Sequence, residues 1–278
     1  MLRLAFIDHQ FDNYHANTYL ALARSRFAQQ VTVAGCWALA GASGRAWAER
    51  NQVAWHDDPT RLAREVDGVL VLAPSDPALH PQLCDLVLPA GRPTFVDKTF
   101  ANDLAAARAI FALADRHHAP IQTSSALRTT NVQRTIAASG QTPRHVATWG
   151  GGSSFGEYAI HPLELAVSLL GPEALSLQRR GDAGFDQLLI GFSGGRTATV
   201  NVHCGGDTPF AAAVTTATTT QWLPVDCGPL FHDAFAAVIG FLASGSPNVD
   251  RRESLAIRAL LDAAADPRAR LAPVEITL

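Results

Sequence analysis

The chain has 278 residues, a net charge of −3 at neutral pH and 47% apolar residues. This composition indicates a globular protein of one or two domains and excludes disordered and fibrous classes. No basic stripe is present, so nucleic acid is not an expected partner. The N-terminal MLRLAFID lacks the features of a signal peptide, and no apolar run approaches the roughly 20 residues that span a bilayer. We therefore expect no membrane association.

Four cysteines are scattered along the chain, at Cys36, Cys84, Cys204 and Cys227, and they form no CxxC pair. This spacing matches neither a disulfide framework nor a zinc site, so we interpret them as free thiols. Free thiols are typical of a reducing compartment, and the expected location is the cytoplasm.

The first part of the chain alternates predicted strands with predicted helices. Apolar runs predict strands at residues 3–7, 31–37, 66–73, 94–96 and 120–124. Helical periodicity lies between them, at residues 14–24, 42–50, 78–88 and 104–117. Such alternation is typical of a doubly wound parallel sheet. We predict an α/β class, with a Rossmann-like dinucleotide-binding domain over residues 1–125.

The pattern changes beyond that point. After a helix at 160–170, strands are predicted at 174–179, 187–192, 197–203 and 211–219 with no helices between them. Two helices at 229–243 and 253–265 and a strand at 274–278 follow. Consecutive strands favour an antiparallel sheet. We predict a smaller α+β domain with an open antiparallel sheet over residues 126–278.

Four stretches in this order resemble the Gfo/Idh/MocA oxidoreductases, the family of glucose–fructose oxidoreductase and inositol dehydrogenase. They are VDGVLVLAPSDPALH (66–80), AGRPTFVDKTFA (90–101), FGEYAIHPLELAVSLLG (155–171) and the closing helical segment at 231–264. The resemblance implies hydride transfer between NAD or NADP and a sugar, polyol or related small molecule, in a cleft between two domains. It also implies a homo-oligomer, a dimer or tetramer, formed through the exposed face of the second sheet.

Lys98 is the only lysine among 22 cationic residues. The resemblance places it beside the nicotinamide and the reacting carbinol, where a lysine can exchange a proton and an arginine effectively cannot. The alternative is a strand-end lysine that pairs with Asp97. The resemblance also makes His161 the second proton-transfer residue, with the nearby Glu157 as the carboxylate that orients it. Substrate contacts are expected from Arg128, Tyr158 and Glu164.

The turn after the first strand lacks the glycines of a dinucleotide-binding fingerprint. GxGxxG is absent from the chain, Asp8 stands where the first glycine is expected, and the second strand ends at Cys36-Trp37-Ala38 without an acidic residue. Carboxylates in this turn would repel the negative charge of a diphosphate. The expected cofactor-binding residues are nevertheless those of this turn and of the next strand ends: Asp8, His9, Phe11, Asp12, Ala73, Pro74, Ser75, His80 and Lys98.

Three explanations of this turn remain open. The cofactor binds through other backbone amides, or dinucleotide binding has been lost, or His9, Asp12 and His15 bind a metal. The residue types and the three-residue spacing suit a metal, but no fourth ligand is evident. We therefore expect no bound metal.

The function also has alternatives. A family member that has lost normal dinucleotide use would act as a non-redox lyase, isomerase or cyclase with the same proton-transfer pair. A non-catalytic partner protein would need neither Lys98 nor His161.

Two glycine-rich stretches have other interpretations. Residues 191–195 match GxSxG, but strands on both sides predict a hairpin turn and not a hydrolase nucleophile. Residues 150–152 (GGG) lack the Gly-Lys-Ser/Thr of a phosphate loop, and we interpret them as a flexible linker on the substrate side.

Overall fold

The computed structural model describes residues 1–182 and 184–278. They form two compact units. The first unit comprises Met1–Ser124 and Phe231–Val249, and the second comprises Ser125–Leu230 and Asp250–Leu278.

The first unit is built on a parallel sheet of five strands in the order β2-β1-β3-β4-β5. The strands are β1 (Leu2–Asp8), β2 (Val31–Ala38), β3 (Gly68–Val71), β4 (Thr94–Val96) and β5 (Ile121–Thr123). The helices within Met1–Ser124 are α1 (Tyr14–Arg24), α2 (Gly41–Arg50), α3 (Pro59–Arg64), α4 (His80–Val87) and α5 (Leu104–Arg116). The predicted Rossmann-like sheet is confirmed.

Local signals in the sequence explain these elements. Asn13, Asp58 and Asp103 stand at helix starts, and each side chain accepts a hydrogen bond from a backbone amide of the first turn. All four residues of β3 are buried, as is usual for the inner strand of a parallel sheet. The 66–73 run is longer than β3 because its last residues continue past the sheet.

A late segment of the chain completes the core of the first unit. Helix α9 (Leu230–Ser244) lies in the range that the sequence assigned to the second domain. Its Phe235 stacks on Tyr19 at 5.1 Å between ring centroids. Its Leu242 lies against Gly68, where an added Cβ would come within 3.1 Å of the leucine side chain. Packing partners, which sequence order does not reveal, therefore decide the unit to which α9 belongs.

The second unit contains a seven-stranded sheet in the order β11-β10-β6-β9-β8-β7-β12. Its strands are β6 (His145–Gly152), β7 (Ala174–Asp182), β8 (Phe185–Phe192), β9 (Thr197–Cys204), β10 (Ala211–Thr215), β11 (Thr220–Pro224) and β12 (Val274–Glu275). Its helices are α6 (Asn131–Ser139), α7 (Phe155–Tyr158), α8 (Ile160–Leu170) and α10 (Arg251–Ala265). The sheet is mostly antiparallel, but β6 and β9 are parallel, so it is mixed and not wholly antiparallel.

Two local expectations are corrected here. The glycines at 150–152 are not a flexible linker, because they form the last residues of β6 and pair with β9. The strand expected over 211–219 breaks at Thr216, whose backbone amide donates to Thr219 O and closes a hairpin into β11. The GxSxG stretch is the predicted hairpin turn, between β8 and β9.

One face of the mixed sheet packs on helices and the other is open. Val146 and Val200 point to the helical side and are fully buried, together with Leu163 of α8 and Leu260 of α10. On the other face, Trp149 and Trp222 meet edge to face at 4.9 Å. No helix in the described parts of the chain is long and apolar enough to cross a membrane.

Candidate active site

The carboxyl ends of the parallel strands gather most of the candidate residues of the first unit. Asp8 ends β1, Ala73 and Pro74 follow β3, and Asp97 and Lys98 follow β4. The strand order changes direction between β1 and β3, and the carboxyl edge at such a switch point is the usual ligand site of an open α/β sheet. The fold therefore brings these residues to the edge where a ligand is expected.

Lys98 is buried, with 6% of its surface exposed. Its ammonium nitrogen donates to Pro74 O at 3.1 Å, and its backbone amide donates to Asp97 Oδ1 at 2.8 Å. The alternative of a strand-end lysine paired with Asp97 predicts a contact from Nζ to that carboxylate, but the hydrogen bond of Nζ goes to a neutral carbonyl. Burying an ammonium is unfavourable, and such groups are concentrated at functional sites.

The partner of Asp97 is His15. Nδ1 of His15 lies 2.5 Å from Asp97 Oδ2, and both side chains are largely buried. Burial opposes the charge of Asp97, but His15 and Lys98 together hold the pKa of this carboxyl below its usual value. His15 therefore contacts a carboxylate of the candidate site, which sequence reasoning did not assign to it.

Asp8 is 1% exposed and holds the turn between β1 and α1 together. Its Oδ1 accepts backbone amides of His9 (2.6 Å), Gln10 (3.2 Å) and Ala73 (3.1 Å). Its Oδ2 accepts the side-chain amide of Asn13 at 2.9 Å. Burial raises the pKa of Asp8 to about 6, although these hydrogen bonds lower it. The carboxylate thus occupies amides that the fingerprint turn normally offers to a diphosphate.

Other residues of this turn contact different partners. His9 pairs with Asp76 at 3.2 Å, and Asp12 accepts from Arg50 at 2.9 Å in an exposed ion pair. His9 and Asp12 thus have different partners. The described residues contain no group of three or more potential metal ligands. The ring of Phe11 is 1% exposed and stacks on Trp47, and the expected cofactor contact of this residue stays a prediction.

The turn after β3 combines an exposed tip with buried neighbours. Ala73 adopts a positive φ of 48°, which is unfavourable for a residue with a Cβ. Pro74 is buried and Ser75 is exposed at the tip of the turn. His80 is fully buried, and its ring nitrogens lie 2.9 Å from Phe100 O and 2.7 Å from Leu72 O. These contacts hold the ring in place, and the expected cofactor role of His80 stays a prediction.

In the second unit, His161 contacts a residue that sequence reasoning did not single out. Its Nδ1 lies 2.7 Å from Ser125 Oγ, and that hydroxyl also accepts the amide of Leu127 at 3.1 Å. A hydroxyl can donate one hydrogen bond and accept two, so Ser125 can hold Nδ1 in place whichever ring nitrogen carries the proton. A serine after a strand is too common a signal for the sequence to reveal this role.

Tyr158 stands beside His161, with ring centroids 5.7 Å apart. A Cβ at Gly152 would come within 2.2 Å of the tyrosine ring. Only a glycine at position 152 therefore leaves room for the ring of Tyr158. Glu157 lies in the same short helix, Phe155–Tyr158, and its carboxylate accepts a hydrogen bond from the hydroxyl of Ser153 at 3.1 Å.

Arg128 and Glu164 form part of a buried ionic cluster in the second unit. Arg128 donates to Glu164 at 3.3 Å and, through its other nitrogen, to Glu253. Glu164 also accepts the amide of Ser125 at 3.2 Å, and burial raises its pKa against the effect of Arg128. Both side chains therefore have partners within the unit, and the substrate contacts expected of Arg128 and Glu164 stay predictions.

A shallow surface depression of about 360 Å³ lies away from these residues. It is lined by Met1, Val31 and Gln52 among others. Met1 and Val31 mark the amino ends of β1 and β2, opposite to the edge where ligands bind such sheets. We therefore do not consider it a candidate active site.

The fold and the carboxyl-edge residues define a two-unit protein of the dinucleotide-binding Rossmann class. Residues 10–125 match the family described as "Oxidoreductase family, NAD-binding Rossmann fold", which is GFO_IDH_MocA. This part of the chain is therefore similar to the Gfo/Idh/MocA oxidoreductases, the family that the sequence motifs resemble. No curated protein sequence matches the chain.

Solved structures of the same fold extend over almost the whole chain. The myo-inositol dehydrogenase of Lactobacillus casei, solved with NAD(H) and myo-inositol, is 15% identical with a TM-score of 0.82, covering 100% of this chain and 97% of that one. The UDP-N-acetylglucosamine 3-dehydrogenase GnnA of Acidithiobacillus ferrooxidans is 15% identical with a TM-score of 0.77, covering 97% of each chain. The biliverdin reductase of Synechocystis sp. PCC 6803, with biliverdin and NADP+, is 15% identical with a TM-score of 0.69, covering 98% and 99%.

The residues at the carboxyl edge fit a dinucleotide under one condition. Lys98 provides a buried ammonium, and the turn from Ala73 to Ser75 lies at the edge that such cofactors occupy. The turn amides also suit a diphosphate, but Asp8 engages them while its carboxylate is ionised. The fit therefore depends on the charge of Asp8.

Proposed function

We propose that the chain is an NAD(P)-dependent oxidoreductase that interconverts a hydroxyl and a carbonyl group on a sugar, polyol or related small molecule. The observation that carries this proposal is the buried Lys98 at the carboxyl edge of the parallel sheet, with its ammonium bonded to a carbonyl and not to a carboxylate. Relatives of this fold crystallised with myo-inositol or a nicotinamide cofactor support the choice of substrate class.

Lys98 would exchange the proton of the substrate oxygen, because an ammonium donates a hydrogen bond to a carbonyl oxygen and its amine form accepts the proton of a hydroxyl. The Asp97–His15 pair lies next to Lys98 and keeps a negative charge beside the ammonium. The bound dinucleotide would supply the hydride acceptor or donor. His161, held through Nδ1 by Ser125, is proposed as the second proton-transfer group. Tyr158 is a proposed substrate contact, and Glu157 stays a proposed carboxylate of the site.

Variants of Lys98 test this function. Lys98→Ala and Lys98→Arg should both lower kcat roughly a hundredfold or more, because arginine keeps the charge but cannot lose the proton. Both should still bind NADH, measured by quenching of tryptophan fluorescence. Arg92→Lys serves as a control that adds a lysine elsewhere. If Lys98→Arg keeps full activity, the proton-transfer role of Lys98 is wrong.

A second function is favoured by the turn at Asp8. A carboxylate held on the β1–α1 amides is the arrangement expected of a family member that has lost normal dinucleotide use. Such a protein would act as a non-redox lyase, isomerase or cyclase through Lys98 and His161, or as a non-catalytic partner. Absence of dinucleotide binding together with loss of activity in Lys98→Ala would favour the lyase-type enzyme. Unchanged cellular function in Lys98→Ala and His161→Ala would favour the partner protein.

We also propose that the chain forms a homo-oligomer through the open face of the mixed sheet. Trp222 is 56% exposed on this face and packs with Trp149. Exposed aromatic patches of this kind are typical of interaction surfaces. The proposed location is the cytoplasm, which the four free thiols support.

A further inference from the structure

We propose that Asp8 is a built-in anion that competes with the diphosphate of the dinucleotide, so that the cofactor binds with uptake of one proton by the Asp8 carboxylate. This inference rests on the proposed dinucleotide-dependent function and adds a regulation of the same site. It makes cofactor affinity depend on pH near neutrality.

The geometry of the turn carries the argument. In a dinucleotide-binding unit, the diphosphate lies on backbone amides between the first strand and the first helix. Here the amides of His9 and Gln10 donate to Asp8 Oδ1, at 2.6 and 3.2 Å. The amide of Ala73, at the end of the neighbouring strand β3, donates to the same oxygen at 3.1 Å. The carboxylate therefore already satisfies three donors that face the carboxyl edge.

The start of α1 is also occupied from within the turn. Asn13 accepts the amide of Ala16 with its side-chain oxygen, at 2.9 Å. Its side-chain amide donates to Asp8 Oδ2 and to Gln10 O, at 2.9 and 2.8 Å. A single network thus links Asp8 to the helix start, and a diphosphate would approach a fixed negative charge at this point.

No ion pair neutralises Asp8 in the described parts of the chain. The charged or titratable groups at this edge are Lys98 and the members of three pairs, His9 with Asp76, His15 with Asp97, and Asp12 with Arg50. The loop from β2 contributes Leu39 and Ala40, whose amides donate to the backbone oxygens of Asp8 and His9. Because burial opposes the charge, the pKa of Asp8 is raised to about 6, within reach of neutral pH.

A diphosphate diester keeps its charge across this pH range, so the change in affinity would come from the protein. Above about pH 6, binding that requires protonated Asp8 should weaken about tenfold per pH unit. The neutral variant Asp8→Asn should bind with little pH dependence over the same range. NADH is the suitable probe, because the 2′-phosphate of NADPH titrates near pH 6 itself.

The test is calorimetric titration of NADH into the full-length chain at pH 6.0, 7.0 and 8.0, in buffers of different ionisation enthalpy. The wild type should take up about one proton per NADH at pH 8.0, whereas Asp8→Asn should take up none and bind at least tenfold more tightly. The proton count in the wild type needs no variant, so it remains informative if Asp8→Asn does not fold.

Three controls separate Asp8 from its neighbours. Asp85→Asn removes an exposed carboxylate of α4 to which no role at the site is assigned, and it should behave as the wild type. His9→Gln and His15→Gln remove the two histidines nearest to Asp8 in the sequence, and both should keep the proton uptake. NADH binding without proton uptake, or proton uptake that survives in Asp8→Asn, would overturn the inference and leave the proposed function intact. Failure of both NADH and NADPH to bind the wild type or any variant at any of these pH values would overturn both.

Discussion

Asp8 accepts three backbone amides and one side-chain amide, yet burial raises its pKa from 3.8 to about 6. The folded chain therefore holds a proton on this carboxyl more tightly than the unfolded chain does. The stabilising contribution of the protonated form is fully present below pH 3.8 and is lost as the pH rises through about 6. This is opposite to the usual behaviour of an ion-paired aspartate.

We predict that the free energy of unfolding of the wild type, relative to that of Asp8→Asn, falls by about 2 kcal/mol between pH 4 and pH 7.5. The physical reason is that only the wild type ionises a buried carboxyl in this range. Urea unfolding of both proteins at each pH gives the difference in the free energy of unfolding between them. Parallel pH profiles for the two proteins would contradict the prediction, and Asp12→Asn should follow the wild type.

Gly152 offers a second prediction at the residue scale, since its missing Cβ leaves room for the ring of Tyr158. Gly152→Ala should destabilise the chain by about 1–3 kcal/mol and displace Tyr158, because an added methyl overpacks the site. Gly156, in the short helix α7, has no atom within 4 Å of an added Cβ. Gly156→Ala should therefore be neutral or slightly stabilising, since alanine favours a helix. Thermal unfolding of the pair measures both effects, and equal shifts in Tm would contradict the account.

At the scale of elements, Arg128 joins α8 to α10 within the second unit through Glu164 and Glu253. Arg128→Met should lower the free energy of unfolding by about 3–5 kcal/mol, because it leaves two buried carboxylates without a cation. Arg61→Met removes an exposed pair with Glu65 and should have no measurable effect. Urea unfolding compares the two variants. A loss of substrate affinity in Arg128→Met at unchanged stability would instead support the substrate contact that the sequence predicts for Arg128.

Elements with a strong local pattern could be predicted from the sequence, and those defined by distant contacts could not. The helices at Tyr14–Arg24 and Ile160–Leu170 have clear starts and ends, and the prediction matches both. Strand β6 was missed because its HVATWGGG sequence ends in three glycines, which suggest a loop. Helix α9 was assigned by its position in the chain, although its core partners are Tyr19 and Gly68.

The residues of the candidate site also differ in whether a local motif or a distant contact defines them. Lys98 and His161 could be selected because short motifs carry them. Arg128 was interpreted as a substrate contact from its position after a predicted strand, and its ion pair with Glu253, 125 positions away in sequence, was not predicted. Asp8 was identified as an unfavourable charge, but the amides that hold it, including that of Ala73, 65 positions later, depend on the fold.

At the scale of the whole molecule, the open face of the mixed sheet should determine assembly. Trp222→Glu should convert an oligomer into a monomer, because it puts a charge in the centre of an aromatic contact patch. Leu271→Glu changes a residue that is 85% exposed on a different segment, and it should leave the assembly unchanged. Sedimentation velocity distinguishes these outcomes. A wild type that is monomeric at all accessible concentrations would contradict the proposed homo-oligomer.

The most direct test of the central claim is transfer of deuterium from a carbinol to the cofactor. The chain is incubated at pH 6 with NAD+ or NADP+ and a panel of polyols and sugars deuterated at their carbinol carbons, and the nicotinamide product is analysed by mass spectrometry. We predict a deuterated, reduced cofactor with at least one substrate for the wild type, and a loss of roughly a hundredfold or more in its rate of formation for Lys98→Ala. Deuterium transfer at the wild-type rate in Lys98→Ala would contradict the account, as would dinucleotide binding with no transfer from any member of the panel.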